Sequence, residues 1–360
     1  MNQVTMTQSE QETVAKAESS PREPANVRVL FGGLLMGVAN LVPGVSGGTM
    51  ILALGLYDRF IHTVAQATSL RWDAAMFRFL ALVLAGAAVA ILGLSSPAVW
   101  LVTEHRWIAY SLFVGMTLGG VSELWKVIKP LGMKEIVPGG IGLGLMAAFA
   151  WGMSGTVLPQ NFIVLTLVGA LAASSMILPG ISGSYILLIF GLYDVVVGSI
   201  RPSELMGDFS ASFSILLPIG IGVALGIGGL SNVLKVLLEK FERPTHAALL
   251  GLLLGSVLGL WPFQESVDPD LSPKAQLKSV QLVLEGNSLA EVEAETGIAI
   301  TEGDAREYAQ RYAGMTGADL KLAAMQLERY APSGGRMGLA VLLFAGGFLM
   351  TRMLGGSREG

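Results

Sequence analysis

The segment Pro43-Gly44-Val45-Ser46-Gly47-Gly48-Thr49 combines a helix breaker, three glycines and two hydroxyls inside an apolar stretch, which is a recipe for binding an anion at membrane depth. Proline lacks an N–H and disfavours helix at Val42, so a helix arriving from residue 28 is expected to stop there. The glycines then let the chain turn, and Ser46 or Thr49 is expected to cap the next helix. On this reading the amides of Gly47, Gly48 and Thr49 are free. Unpaired amides at a helix N-terminus attract a phosphate or carboxylate, and glycine lets it come close. The carbonyls that end the incoming arm, Asn40 to Val42, could hold a coupling cation, H+ or Na+. No cofactor and no metal are otherwise called for.

The motif occurs twice. It returns 136 positions later as Pro179-Gly180-Ile181-Ser182-Gly183-Ser184-Tyr185, with Ser182 as the expected cap and Met176 to Leu178 as the matching carbonyls. From Pro43 to Asp58, nine of sixteen positions are identical at that offset, including Gly55-Leu56-Tyr57-Asp58 against Gly191-Leu192-Tyr193-Asp194. The register continues through Gly86 and Gly222, Gly115 and Gly251, and Trp125 and Trp261. Two apolar halves, each interrupted by Gly and Pro at the equivalent place, point to a transporter with its site at the repeat interface.

The elements that must position these loops are membrane helices. Only 14% of residues are charged and 52% are hydrophobic, against about 25% charged in an average soluble chain. Between Glu135 and Arg201 the single charge is Asp194. Spans are expected near 77–97, 107–125, 136–157, 210–234, 245–264 and 334–353. The arm 28–42 is shorter, about 22 Å of helix against a hydrocarbon core of about 30 Å. It fits a re-entrant hairpin or one arm of a broken crossing helix. Charge decides between them: with hairpins, Arg28, Arg59, Arg71 and Arg78 share a side with Lys126, Lys129, Lys134, Lys235, Lys240, Arg243 and Arg352, leaving Arg106 and Arg201 opposite.

The expected fold is therefore an all-α polytopic membrane protein of two inverted-topology repeats, each one re-entrant helical hairpin plus three transmembrane helices. Residues 1–26 read as a disordered cytoplasmic tail, 27–157 as the first repeat and 158–264 as most of the second. Residues 265–333, with 12 Asp/Glu against 6 Lys/Arg, read as an extracytoplasmic helical insertion. Residues 334–360 hold the last span and a short cytoplasmic tail. Helix is expected over Leu289–Glu295 and Leu320–Tyr330.

A second group of residues is expected to serve coupling or headgroup binding. Asp58 and Asp194 recur at the hairpin ends, where an acid needs a specific partner that Arg59 or Arg201 could supply. Glu123 closes an apolar run, and its counterpart in the repeat is Gly259, so duplication does not explain it; intramembrane acids often relay protons or cations, while Trp125 and Lys126 directly after it fit an ordinary interfacial carboxylate.

The paired motifs, Asn40 to Thr49 and Leu178 to Ser184, resemble those of the bacterial polyprenyl-phosphate transporter family, and the resemblance extends over residues 27–355 outside the insertion. It implies translocation of undecaprenyl phosphate between leaflets of the bacterial cytoplasmic membrane, with the motif loops binding the phosphate, membrane lipids as surroundings and no nucleic acid. Ser184-Tyr185 in place of a second Gly-Thr and the acidic insertion depart from the family pattern. An ion-coupled carrier or channel for small inorganic anions uses the same loop physics. A lipid phosphatase needs a nucleophile with its base, or metal ligands, and His62, His105 and His246 lack that spacing.

Overall fold

The computed structural model describes residues 25–42, 44–152, 158–199, 207, 209–271, 274–324 and 326–355. The polar tail expected at 1–26 falls almost wholly outside them, as do Pro43, Arg201 and the side chain of Asp194.

The first half runs α1 (Asn26–Leu41), α2 (Gly47–Ala53), α3 (Tyr57–Thr68), α4 (Ala74–Glu104), α5 (Arg106–Ile128) and α6 (Met133–Gly152). The second runs α7 (Phe162–Ile177), α8 (Gly183–Ile189), α9 (Tyr193–Ser199), α10 (Phe209–Lys240) and α11 (Glu242–Gly259). Several boundaries coincide at the 136-residue offset: α1 with α7 and α2 with α8 at both ends, and α4 with α10 at their last residue. Local signals set the starts: Asp73 accepts from the Met76 N–H at 2.7 Å and Asn161 from the Val164 N–H at 2.9 Å, each satisfying an orphan donor.

Among the described residues, four helices are long and apolar enough to cross a membrane: Ala74–Leu94 within α4, α5, α10 and α16 (Gly334–Gly355). Helices α6 and α11 occupy the other two expected spans. Large side chains on the outside remain bare, Leu92 at 84% and Leu342 at 68% exposure. Apolar patches of that extent belong in lipid. The chain is an all-α, multi-pass membrane protein.

Small residues let the helices close up. Gly33 of α1 packs on the Val83 backbone of α4, and its counterpart Gly169 of α7 packs on Ile219 of α10. Helix α16 packs on α5, and α6 packs on α11, so each half lends its last helix to the other.

Between α11 and α16 the acidic insertion folds around its own small core of Leu271, Val280, Tyr308, Tyr312 and Leu320. Its helices are α12 (Lys274–Leu284), α13 (Leu289–Thr296), α14 (Glu302–Arg311) and α15 (Gly317–Ala324). The helix expected over Leu320–Tyr330 ends at Ala324. Residues Leu327–Arg329 instead form strand β2, antiparallel to β1 (Gln264–Ser266), with Gln264 opposite Arg329. This ribbon ties the lobe's exit to its entrance, a non-local pairing that local helix propensity does not report. Capping boxes start α13 and α14, and the Thr301 backbone N–H holds the Asp304 carboxyl below its usual range.

Candidate functional site

Both motif loops lie at breaks between short helices and meet in the interior. Helix α1 ends at Leu41, with Val42 extended. Gly44 at φ +83° and its counterpart Gly180 at φ +91° then turn the chain in the left-handed region, which a side chain strongly disfavours. Helices α2 and α8 have 7 residues each. Gly55 and Gly191, at φ +64° and +66°, turn into α3 and α9.

The first loop is locked onto the second. Ser46 Oγ donates to the Leu178 carbonyl at 3.1 Å. The Gly180 N–H donates to Thr49 Oγ1 at 2.8 Å, and Tyr57 Oη donates to the Ile177 carbonyl at 3.2 Å. Gly48 lies flat on the Met176 and Ile177 carbonyls, each only 3.0 Å from where a Cβ would stand. Ser46, Gly47, Gly48 and Thr49 are all buried.

These contacts correct three sequence expectations. Ser46 sits at the N-cap of α2, yet its hydroxyl makes no cap bond; it is turned to donate to the Leu178 carbonyl of the opposite loop. Thr49 also caps nothing there, since its hydroxyl accepts from Gly180. The Thr49 amide is not free, because it donates to the Ser46 carbonyl at 3.1 Å. The carbonyls of Ile177 and Leu178 each receive one protein hydroxyl.

Both loops reach a cavity. The Ser182 and Ser184 hydroxyls pair with each other at 2.9 Å, and Tyr185 is half-buried. A cavity of about 140 Å³ is lined by Gly44, Gly180, Ser182, Tyr185 and Ser256. Tyr185 and Gly44 also line a larger cavity of about 570 Å³, which extends past Arg106 and Tyr110 to Glu265 and Arg336 at the insertion. Pro179 is buried behind the second loop, and Gly183 is tightly packed on the Ala172 carbonyl. The departure from Gly48-Thr49 to Ser184-Tyr185 thus replaces two residues that pack on the opposite loop with a Tyr185 that lines both cavities.

Arg106 and Tyr110 were not among the residues predicted for the site. The Arg106 guanidinium lies 4.2 Å over the Tyr110 ring, and its Nε is buried with no hydrogen-bond partner among the described residues. At the opposite end of the bundle, Asp58 meets His246 at 3.3 Å. Arg59 lies 5.3 Å from the Phe79 ring centroid. Glu123 is 10% exposed, 3.5 Å from Lys126, and shares with Asp58 and His246 a cavity of about 30 Å³.

Removal of the Thr49 hydroxyl tests the lock. Thr49→Val leaves the Gly180 N–H buried without its acceptor and is expected to cost about 1–3 kcal/mol, read as a lower unfolding temperature in detergent; Thr49→Ser retains the bond and is expected to stay near wild type. Equal unfolding temperatures for both variants would refute the lock.

Fold and site together define a multi-pass helical membrane protein with paired broken helices meeting in its interior. The chain belongs to the undecaprenyl phosphate translocase-like family, whose profile matches residues 36–276. It is 33% identical over 281 residues to a polyprenyl-phosphate transporter of Vibrio cholerae, covering 73% of this chain and 85% of that protein. A polyprenyl-phosphate transporter of Staphylococcus aureus is 32% identical over 245 residues, covering 65% and 85% respectively. Family and relatives are transporters rather than enzymes. No solved structure matches the chain.

Proposed function

We infer that this protein carries a polyprenyl phosphate, undecaprenyl phosphate, across the bacterial cytoplasmic membrane, from the outer leaflet to the inner, so that the carrier lipid is reused in envelope synthesis. The observation that carries this reading is the cavity of about 570 Å³ that runs from the insertion down to Gly44 and Tyr185. It offers Arg106 and Arg336 to a phosphate, while at the far end of the bundle the Asp58–His246 contact joins the two halves. The isoprenoid tail stays in lipid and only the headgroup needs this polar path, because a bare phosphate in hydrocarbon is prohibitively costly.

The arrangement is two inverted repeats, 27–157 and 158–264 completed by 334–360, each with a re-entrant hairpin. The recurrence of helix ends at one offset, the matched Gly33 and Gly169 packings and the exchange of last helices support it. Both termini face the cytoplasm and the 265–333 lobe faces outward, consistent with the positive-inside rule. Gly44, Gly180, Ser182 and Tyr185 receive the headgroup, with Ser184 holding the Ser182 hydroxyl and Gly183 packed behind them. Pro43 and Pro179 break the arms, and Ser46, Gly47, Gly48 and Thr49 hold the loops together. Asp194 marks the outward end of the second hairpin.

Leaflet exchange in proteoliposomes tests the reading. Protein-dependent movement of undecaprenyl phosphate is expected, without phosphate release. Flux of inorganic anions with no lipid movement would replace it with the small-anion carrier.

A further inference from the structure

The end of the bundle opposite the large cavity holds a contact that phosphate binding does not use, between a buried imidazole and an Asp58 carboxylate that is 41% exposed. His246 of α11 places Nε2 3.3 Å from Asp58 Oδ1 of α3, with the His246 side chain only 5% exposed. Its other ring nitrogen, Nδ1, lies 2.7 Å from the Glu242 carbonyl oxygen. A carbonyl only accepts, so Nδ1 carries a hydrogen. In a neutral ring, Nε2 would then present a lone pair to a carboxylate, and two acceptors would face each other. The contact is favourable only with a proton between them.

Its place gives that proton leverage. Asp58 and His246 belong to different halves, so their bond clamps α3 onto α11. Tyr57, the neighbour of Asp58, donates to the Ile177 carbonyl at the second loop, and the Gly55 turn leads into this helix. The cavity beside the pair, about 30 Å³, holds about one water that can take the proton. At the open end the counterpart of His246 is Tyr110, beneath Arg106 on the cavity wall.

The surrounding charges leave this pairing intact. From α5, Glu123 lines the same cavity and has Lys126 at 3.5 Å. From α1, Arg28 bonds the Leu54 and Gly355 carbonyls beside Gly55. From α6, Glu135 is 3.2 Å from Arg243. On α10, Glu239 is 4.0 Å from Lys235 and 3.7 Å from His62 of α3. Glu242 flanks His246 on its own helix. Glu123, Glu135 and Glu239 each have a basic neighbour, and Asp58 is the carboxylate that meets the imidazole.

We propose that His246 and Asp58 form a proton-binding site whose bound proton latches the inner end of the transporter shut, and whose release opens that end and couples lipid movement to proton movement. The latch stands on geometry alone; its coupling role rests on the transport reading above.

The chain has no cysteine, so Val127→Cys, on the wall of the small cavity, reports opening of that end. The full chain in detergent is labelled with a thiol reagent across the pH range in which histidine titrates. Each rate is divided by that of the same reporter carrying Asp58→Asn, which cancels the thiol's own pH dependence. The asparagine amide donates to Nε2 and holds the latch without a shared proton. The ratio is expected to rise about fivefold or more toward alkaline pH. His246→Gln, which donates to Asp58, is expected to flatten the profile as Asp58→Asn does. An identical profile for the wild-type pair and both variants overturns the latch. In proteoliposomes, an imposed pH gradient is expected to accelerate lipid-phosphate exchange by wild type and not by Asp58→Asn. Exchange indifferent to the gradient, with a responsive reporter, overturns the coupling alone. Absence of any lipid exchange with a responsive reporter overturns the transport reading and leaves the latch.

Discussion

Alanine at Gly180 is expected to abolish lipid-phosphate exchange and to lower thermal stability sharply, whereas alanine at the equivalent Gly44 is expected to be mild. Both glycines occupy the left-handed region, at φ +91° and +83°, so each variant carries a backbone penalty of about 1–2 kcal/mol. Their surroundings differ. A Cβ on Gly180 would stand 2.8 Å from the Leu252 carbonyl oxygen and 2.9 Å from Ser256 Cβ, both fixed to α11. A Cβ on Gly44 would meet only Leu260 Cδ2, at an ordinary 3.5 Å. Overpacking against a rigid helix adds about 1–3 kcal/mol, and the Gly180 N–H that anchors Thr49 would be displaced with the loop. Unfolding temperature in detergent and exchange rate in proteoliposomes, measured for both variants, check this. Equal losses at the two sites would show that the turn conformation alone matters and that the second loop is not pressed onto α11.

The same asymmetry marks how far the sequence could be read. The duplication, the helix break after Leu41 and the left-handed glycines were legible because they depend on local rules: proline's missing donor, glycine's tolerance and a fixed repeat offset. What Ser46 and Thr49 bond to was not legible, because both hydroxyls satisfy groups more than 130 residues away. A cap is the default for such residues only when no tertiary partner competes. The β1–β2 ribbon was hidden for a related reason, since its strands are short and lie at opposite ends of the insertion.

Arg106 and His246 were hidden differently. By charge alone Arg106 reads as an outer-loop cation, and His246 lacks metal-ligand spacing. Yet at the repeat offset Arg106 faces Glu242 and Tyr110 faces His246. Duplicated halves keep what the shared scaffold needs, and they diverge where the two ends of a transport path must differ. Those two mismatches, one turn apart on α5 and α11, put an arginine on an aromatic ring at the open end and an imidazole on a carboxylate at the opposite end. Divergence within a repeat is therefore as informative about this site as the identity of the motifs.

That argument places the largest binding effect at Arg106. Arg106→Gln is expected to raise the half-saturating mole fraction of undecaprenyl phosphate in the exchange assay by roughly 10- to 100-fold, since charge-assisted bonds to phosphate are worth about 1.5–3 kcal/mol. The guanidinium is preoriented by the Tyr110 ring, and its Nε has no partner among the described residues. Arg106→Lys keeps the charge but loses the planar fork and the stacking, so it is expected to fall between Gln and wild type. Arg336 lines the same cavity from an exposed position, and Arg336→Gln is expected to have a smaller effect that fades as salt is raised. Glu104 and Glu265 share the wall and favour a headgroup that brings its own charge close to Arg106 rather than a diffuse cloud of anions. If Arg106→Gln leaves half-saturation unchanged while Arg336→Gln raises it, the headgroup is held at the mouth beneath the insertion and does not descend to the motif loops.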